Sequence, residues 1–146
     1  DPFKKTKKKI KSDPFFVLNG DSFCRVNCAA FLDFHQKSGA QASLALVPVD
    51  SSKDYGSVQL DPGGKCITSF QEKTMDGSGY VNAGIYCLKK ACLFRIPAGI
   101  KVSLENEVFP GLVGHGFCGY PVDGPLIDIG TPERYAFADE HTELFS

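Results

Sequence analysis

FFVLNGDSF, residues 15–23, is the stretch on which the fold turns. Its first four residues, Phe15 to Leu18, are apolar without a break, with Asp13-Pro14 before them and Asn19-Gly20 after. A run of that length between turn signals reads as a strand buried on both faces, the kind found inside a parallel sheet. The chain then presents a carboxylate, Asp21, at the carboxyl end of the strand, where open α/β sheets hold their ligands. Taken alone, the segment reads equally well as a strand, an Asn-Gly turn and a solvated aspartate. A second strand, closing in the same way on Leu126-Ile127-Asp128-Ile129-Gly130-Thr131-Pro132, tips the reading toward a site.

Working outward, Asn27 can cap a helix over residues 29–38, with Phe31, Phe34 and Ala30 on one side and Gly39 as its stop. ASLALVPV (42–49) is a second buried strand, and strand, helix, strand at this spacing predicts a right-handed βαβ unit. Residues 55–60 and 65–71 flank Asp61-Pro62-Gly63-Gly64, a hairpin signal with proline second and glycine third in the turn. The strand expected over 80–88 holds Asn82 and Gly84 in its interior, and glycine there marks close approach of a ligand to the backbone. Short helices are expected over 91–96 and 103–109, the second capped by Ser103 with Asn106 where a capping-box glutamate would stand. Strands follow over 116–122 and 126–129. Thr131-Pro132-Glu133 then opens a last helix, reaching Glu143, with a cap, an N1 proline and an acidic first turn.

A chain of 146 residues is one domain, large enough for a proper core. Sixteen basic and 17 acidic residues nearly balance, so the overall charge implies no nucleic-acid partner. The one dense charge run, Lys4 to Lys11, reads as a basic helix or tail over residues 1–12, since no aromatics interleave with its lysines. No apolar run approaches the ~20 residues of a membrane span, and the expectation is a protein without a signal peptide. The six cysteines, at 24, 28, 66, 87, 92 and 118, contain no CxxC pair and no zinc set. They read as reduced, buried thiols rather than a disulfide framework, which points to a cytoplasmic protein. His35, His115 and His141 have no partner pattern and read as surface residues.

With these pieces in place, six sequence words carry a resemblance: LNGDSF (18–23), DYGSV (54–58), FQEK (70–73), YVNAGIY (80–86), SLENEVFP (103–110) and PVDGPLIDIGTPERY (121–135). In order and spacing they resemble the sugar-phosphate nucleotidyltransferases, which make nucleotide-sugars from an NTP and a sugar 1-phosphate. The look is closest to mannose- or heptose-1-phosphate guanylyltransferases. The resemblance implies an α/β fold, a partial Rossmann-like, mostly parallel sheet of the nucleotide-diphospho-sugar transferase type with a small antiparallel hairpin region. It implies that Asp21 and Asp128 together bind a catalytic Mg²⁺. Glu72 and Lys73 would contact the sugar and its phosphate, with Lys73 also catalytic; Asn82 and Gly84 would contact the same substrate, and Gly56 would lie against the sugar. The implied partners are a sugar 1-phosphate and an NTP, GTP foremost.

That chemistry suits these residue types. A sugar 1-phosphate is already an anionic nucleophile, so no general base is needed for in-line attack on the α-phosphorus with loss of pyrophosphate. The barrier is repulsion between anions, met by positioning and electrostatics. Mg²⁺ takes one or two carboxylates and completes its octahedron with phosphate oxygens and water. Lysine supplies a point charge for phosphate, and glutamate accepts sugar hydroxyls.

The 146 residues lack the glycine-rich G-x-G-T-R-L loop with which the family grips the NTP phosphates. The expectation is a truncated, C-terminal portion of the family domain, short of roughly the first hundred residues, and impaired in turnover by itself. A non-catalytic sugar-phosphate-binding or interaction module is the alternative. A metal-dependent glycosyltransferase fits less well, because the EK, NAG and DIGTP words belong to the nucleotidyltransferase pattern. The edge of the strand at 15–19, unflanked on one side, is expected to pair two copies into a homodimer through Phe15, Phe16 and Val17.

Overall fold

Long apolar runs in this chain meet in one six-stranded sheet, and a computed structural model describes residues 9–50, 57–71, 79–97 and 99–146 of it. The strands are β1 (Phe15–Leu18), β3 (Ala42–Val49), β4 (Ser57–Leu60), β5 (Ile67–Gln71), β6 (Gly79–Leu88) and β7 (Phe117–Pro121). A separate antiparallel pair joins β2 (Ser22–Cys24) to β8 (Leu126–Asp128). Two α-helices, α1 (Cys28–Lys37) and α2 (Pro132–Glu140), and several short helical turns complete the described residues. Residues 1–8, which hold most of the basic run, and residues 72–78 lie outside them.

β6 is the hub. One of its edges pairs with β3, from Ala42↔Leu88 to Val49↔Gly79. Its other edge is shared, β1 taking Ile85 to Leu88 and β4 taking Tyr80 and Val81. β7 lies parallel to β3 on the far side, and β5 antiparallel to β4. In strand direction the sheet is mostly parallel, as expected, because β1, β3, β4 and β7 run one way. The ladders differ from expectation: β3–β7 is the parallel one among the described residues, and the others are antiparallel. The cause is β6, inserted in reverse between β1 and β3. Those two strands are co-directional across α1, but they are not neighbours.

Alternation along the strands sends side chains to two cores. Leu44, Leu46, Tyr86 and Leu88 face one, closed by Leu93, Phe109, Leu112 and Phe117. Ala45, Val47, Ile85 and Cys87 face the other, covered by α1 through Phe31. Asn27 caps α1, its Oδ1 accepting from Ala30 N at 3.0 Å, and Gly39 leaves the helix at φ +63°. Ala30 is exposed and His35 is fully buried, the reverse of the sequence reading. His35 stands one turn after Phe31 and shares its face, and its Nδ1 bonds Ser43 Oγ on β3 at 2.8 Å. His115, as expected, is exposed.

The hairpin forms where the turn chemistry put it. Asp61 O accepts from Gly64 N, and Asp61 Oδ1 accepts from both Lys65 N and Cys66 N, all at 2.8 Å. Residues 90–95 form a 3-10 helix, and Leu104–Val108 form a single π-type turn. Ser103 Oγ accepts from Asn106 N, and Glu107, one residue beyond the expected box position, accepts from Ser103 N at 2.9 Å. The wider turn displaces the reciprocal bond by one residue. α2 ends at Glu140, short of the expected Glu143, and a 3-10 turn follows. Four cysteines are buried and free as expected, whereas Cys28 and Cys66 are exposed. Among the described residues no helix is long and apolar enough to cross a membrane.

Candidate active site

The end of β1 is where the sequence-predicted residues that the structure describes, Asp21, Asn82, Gly84 and Asp128, are found. Asn19 N donates to Gly84 O at 2.8 Å, which extends the β1–β6 ladder by one bond. Gly84 sits at φ +74°, and a Cβ there would lie 3.0 Å from Asn19 Nδ2. A glycine inside this strand does mark close approach, and the group that approaches is the Asn19 side chain. Asn82 Oδ1 accepts from Gly84 N at 2.9 Å, and Asn82 Nδ2 donates to Tyr86 Oη at 3.0 Å. The Tyr86 hydroxyl in turn donates to Glu105 Oε1 at 2.7 Å. Burial, then the Glu105 carboxylate, hold the Tyr86 hydroxyl well above its ordinary pKa, so it stays a neutral donor. Tyr86 and Glu105 therefore fix the orientation of the Asn82 amide. Sequence reasoning missed both, since Tyr86 reads as an ordinary core aromatic and Glu105 lies 19 residues away.

Two residues past Asn19 the carboxylates meet. Ser22 on β2 pairs with Asp128 on β8, and Ile129 N donates to Asp21 O at 2.8 Å. This register sets Asp21 and Asp128 on either side of Gly130. A Cβ on Gly130 would stand 2.9 Å from Asp128 Oδ1 and 3.4 Å from Asp21 Oδ2. Glycine leaves that point open, and two carboxylate oxygens converge on it. Asp128 Oδ1 also accepts from Gly130 N at 2.7 Å, and Asp128 Oδ2 pairs with Arg134 Nη1 at 2.6 Å. Arg134 stands in the first turn of α2, and its own N–H donates to Thr131 Oγ1 at 3.3 Å. The sequence reading gave Arg134 only the helix start; nothing in its spacing from Asp128 announces the ion pair.

The donor set suits a hard cation. It consists of oxygens alone, and no group of three or more His, Cys, Asp or Glu gathers among the described residues. Mg²⁺ accepts one or two carboxylates with water and phosphate oxygens, so Asp21 and Asp128 around the open point at Gly130 fit it. Gly56, Glu72 and Lys73 lie outside the described residues; β5 ends at Gln71, immediately before the Glu72-Lys73 pair.

The family model described as Nucleotidyl transferase matches residues 1–143. A mannose-1-phosphate guanylyltransferase of Mycobacterium tuberculosis is 37% identical over 131 residues, covering 87% of this chain and 36% of that protein. A mannose-1-phosphate guanyltransferase of Aspergillus fumigatus is 33% identical over 92% of this chain and 38% of its own length. The chain thus spans little more than a third of these relatives. Among solved structures, HddC from Yersinia pseudotuberculosis superposes with a TM-score of 0.79 at 30% identity, over 96% of this chain and 60% of that one. Its complex with GMP-PN gives a TM-score of 0.77. On the match along nearly its whole length, this chain belongs to the nucleotidyl transferase family.

Proposed function

We propose that this chain carries the metal-binding and sugar-phosphate end of a sugar-1-phosphate guanylyltransferase, which transfers a nucleotidyl group from GTP to mannose or heptose 1-phosphate and releases pyrophosphate. The observation that carries the reading is the convergence of Asp21 and Asp128 on the open face of Gly130. The guanylyltransferase names of its relatives support the substrate class.

On this reading Asp21 and Asp128 hold Mg²⁺, which when bound offsets the negative charge of the phosphates that must approach each other. Arg134 pairs with Asp128 Oδ2 and holds that side chain in place, with Oδ1 bonded to Gly130 N beside the open point. Asn82, fixed by Tyr86 and by Gly84 N, presents a set amide within β6 beside the end of β1, where it and Gly84 contact the sugar phosphate. Glu72 and Lys73 follow β5 and supply sugar hydroxyl and phosphate contacts, and Gly56 lies against the sugar ring. The sugar phosphate is its own nucleophile, so these residues need only position it and balance charge.

Titration calorimetry of the 146-residue chain with mannose 1-phosphate, with and without Mg²⁺, tests the site. The expected result is binding that requires Mg²⁺ and is weakened in Asp21→Asn. Equal binding without the metal overturns the assignment. The non-catalytic alternative draws on the Arg134 pair, which occupies one oxygen of Asp128, and on the internal bonds of Asn82. Pyrophosphate release from GTP separates the two: a module that only binds takes up the sugar phosphate and releases none.

The same reading makes the protein a homodimer in a cytoplasmic setting. β1 pairs with β6 on one side, and among the described residues no ladder covers its other edge. Six free thiols accord with a reducing compartment.

A further inference from the structure

Cys66 and Cys118 face each other where the β4–β5 hairpin folds back against β7, outside the site described above. They form an isolated antiparallel bridge. Gly119 N donates to Lys65 O at 2.9 Å, so the bond joins the residue after one cysteine to the residue before the other. That pattern makes Cys66 and Cys118 a non-hydrogen-bonded pair, whose Cα atoms lie about 4.5 Å apart with their side chains on the same side. Disulfides span Cα separations of about 4.4–6.8 Å, so the backbone already has a compatible spacing.

Their environments differ in a useful way. Cys66 is exposed and open to a soluble reagent, while Cys118 is only 4% exposed. Burial, and then the neighbouring Cys66, push the Cys118 thiol up, so it does not react from solution on its own. The seam around them is tight: a Cβ on Gly119 would come within 2.5 Å of Leu46 Cδ1 and 2.6 Å of Leu60 Cδ2. That packing holds the hairpin against β7.

We propose that Cys66 and Cys118 form a redox site that a low-molecular-weight disulfide converts to an intramolecular disulfide between the start of β5 and β7. The Cys66 thiolate attacks one sulfur of the reagent RSSR, forming Cys66–S–S–R and releasing RS⁻, which takes up the proton Cys66 lost. Cys118 then gives up its proton and attacks the Cys66 sulfur, and the second RS⁻ leaves and is protonated. Two protein thiols and RSSR become one protein disulfide and two RSH, and excess thiol reverses the exchange. The link fastens the hairpin whose second strand runs directly into Glu72 and Lys73.

The test is incubation of the folded 146-residue chain with glutathione disulfide, alkylation of the remaining thiols after unfolding in urea, and peptide mapping. The expected result is a cross-linked pair of peptides containing Cys66 and Cys118, lighter by two hydrogens than their sum, free of glutathione and released by dithiothreitol. Exposed Cys28, whose thiol bonds Val26 O, reports that the reagent is active. In Cys66→Ser, a change at an exposed position, Cys118 stays alkylatable under the same treatment. Oxidised wild type unfolds at higher urea than the reduced form, and Cys66→Ser shows no such gain. Glutathione retained on Cys66 with Cys118 still alkylatable, or Cys66 joined to another cysteine, overturns the proposal.

Discussion

Asp128 bonds Gly130 N through Oδ1 and Arg134 through Oδ2, and its Oδ1 and Asp21 Oδ2 lie 2.9 and 3.4 Å from the point a Gly130 Cβ would take. Asp21 is the more exposed partner, so Asp21→Asn removes charge from the pair without opening a core. It is expected to lower Mg²⁺ affinity by tenfold or more in calorimetry while leaving the urea midpoint unchanged; unaltered affinity would return Asp21 to the role of a turn residue. His35 gives a second residue-scale prediction. Burial, and then the charge on Lys89, hold its imidazole below the ordinary value, against a smaller opposing pull from Asp13. Its polar contact is Ser43 Oγ, and Nε2 has no partner among the described residues. With the folded pKa below the unfolded value of about 6.5, the unfolded chain takes up the proton first as pH falls. Stability from this group is therefore full above that pH and lost as the solution is acidified through it. Urea midpoints at pH 7.5 and 5.5 should drop for wild type and drop less for His35→Gln. An equal drop in both would place the acid sensitivity elsewhere.

At the scale of elements, local chemistry was legible in the sequence and pairing partners were not. The hairpin turn sits where Asp61-Pro62-Gly63-Gly64 put it, because its bonds are all made within six residues. ASLALVPV forms β3 over the expected residues, since a run that is apolar but for Ser43 suits a central strand. The reversal of β6 was illegible, because a strand's direction among its neighbours is set by contacts far along the chain. The exchange of Ala30 for His35 on the buried face of α1 arose from favouring apolar type over one-turn spacing. Of the candidate site, the two aspartates could be read from their words, while Arg134, Tyr86 and Glu105 come to the site only through tertiary packing. Gly84 is an element-scale test, because it joins β6 to the end of β1. Gly84→Ala combines φ +74° with a Cβ 3.0–3.2 Å from the Asn19 side chain. Strain of this kind costs about 1–3 kcal/mol, so the urea midpoint should fall accordingly. A variant as stable as wild type would show that Asn19 can swing away freely.

Over the whole molecule, the charge is close to neutral and the sheet is covered on both faces, yet the outer edge of β1 stands open among the described residues. Phe15 is buried within the chain's own core, which corrects its expected place in a dimer contact. Phe16 and Val17 are half-buried, and Leu18 is 63% exposed. Beside them runs an apolar groove of about 650 Å³, lined by Ile10, Phe16, Val17, Leu93, Ile96 and Leu104. An open strand edge presents unpaired N–H and C=O groups, and a second strand satisfies them while covering the groove. Two copies of β1 pairing antiparallel about a two-fold axis would do both at once, each chain contributing the same surface. The arrangement points the two Asp21-bearing strand ends apart, so each site stays independent. Light scattering at micromolar concentration should then give twice the chain mass. Val17→Lys, which sets like charges against each other across the axis, should give the monomer with unchanged secondary structure. A monomeric mass for the unaltered chain, together with slow amide exchange over Phe15–Leu18, would show that the edge is covered within the chain itself.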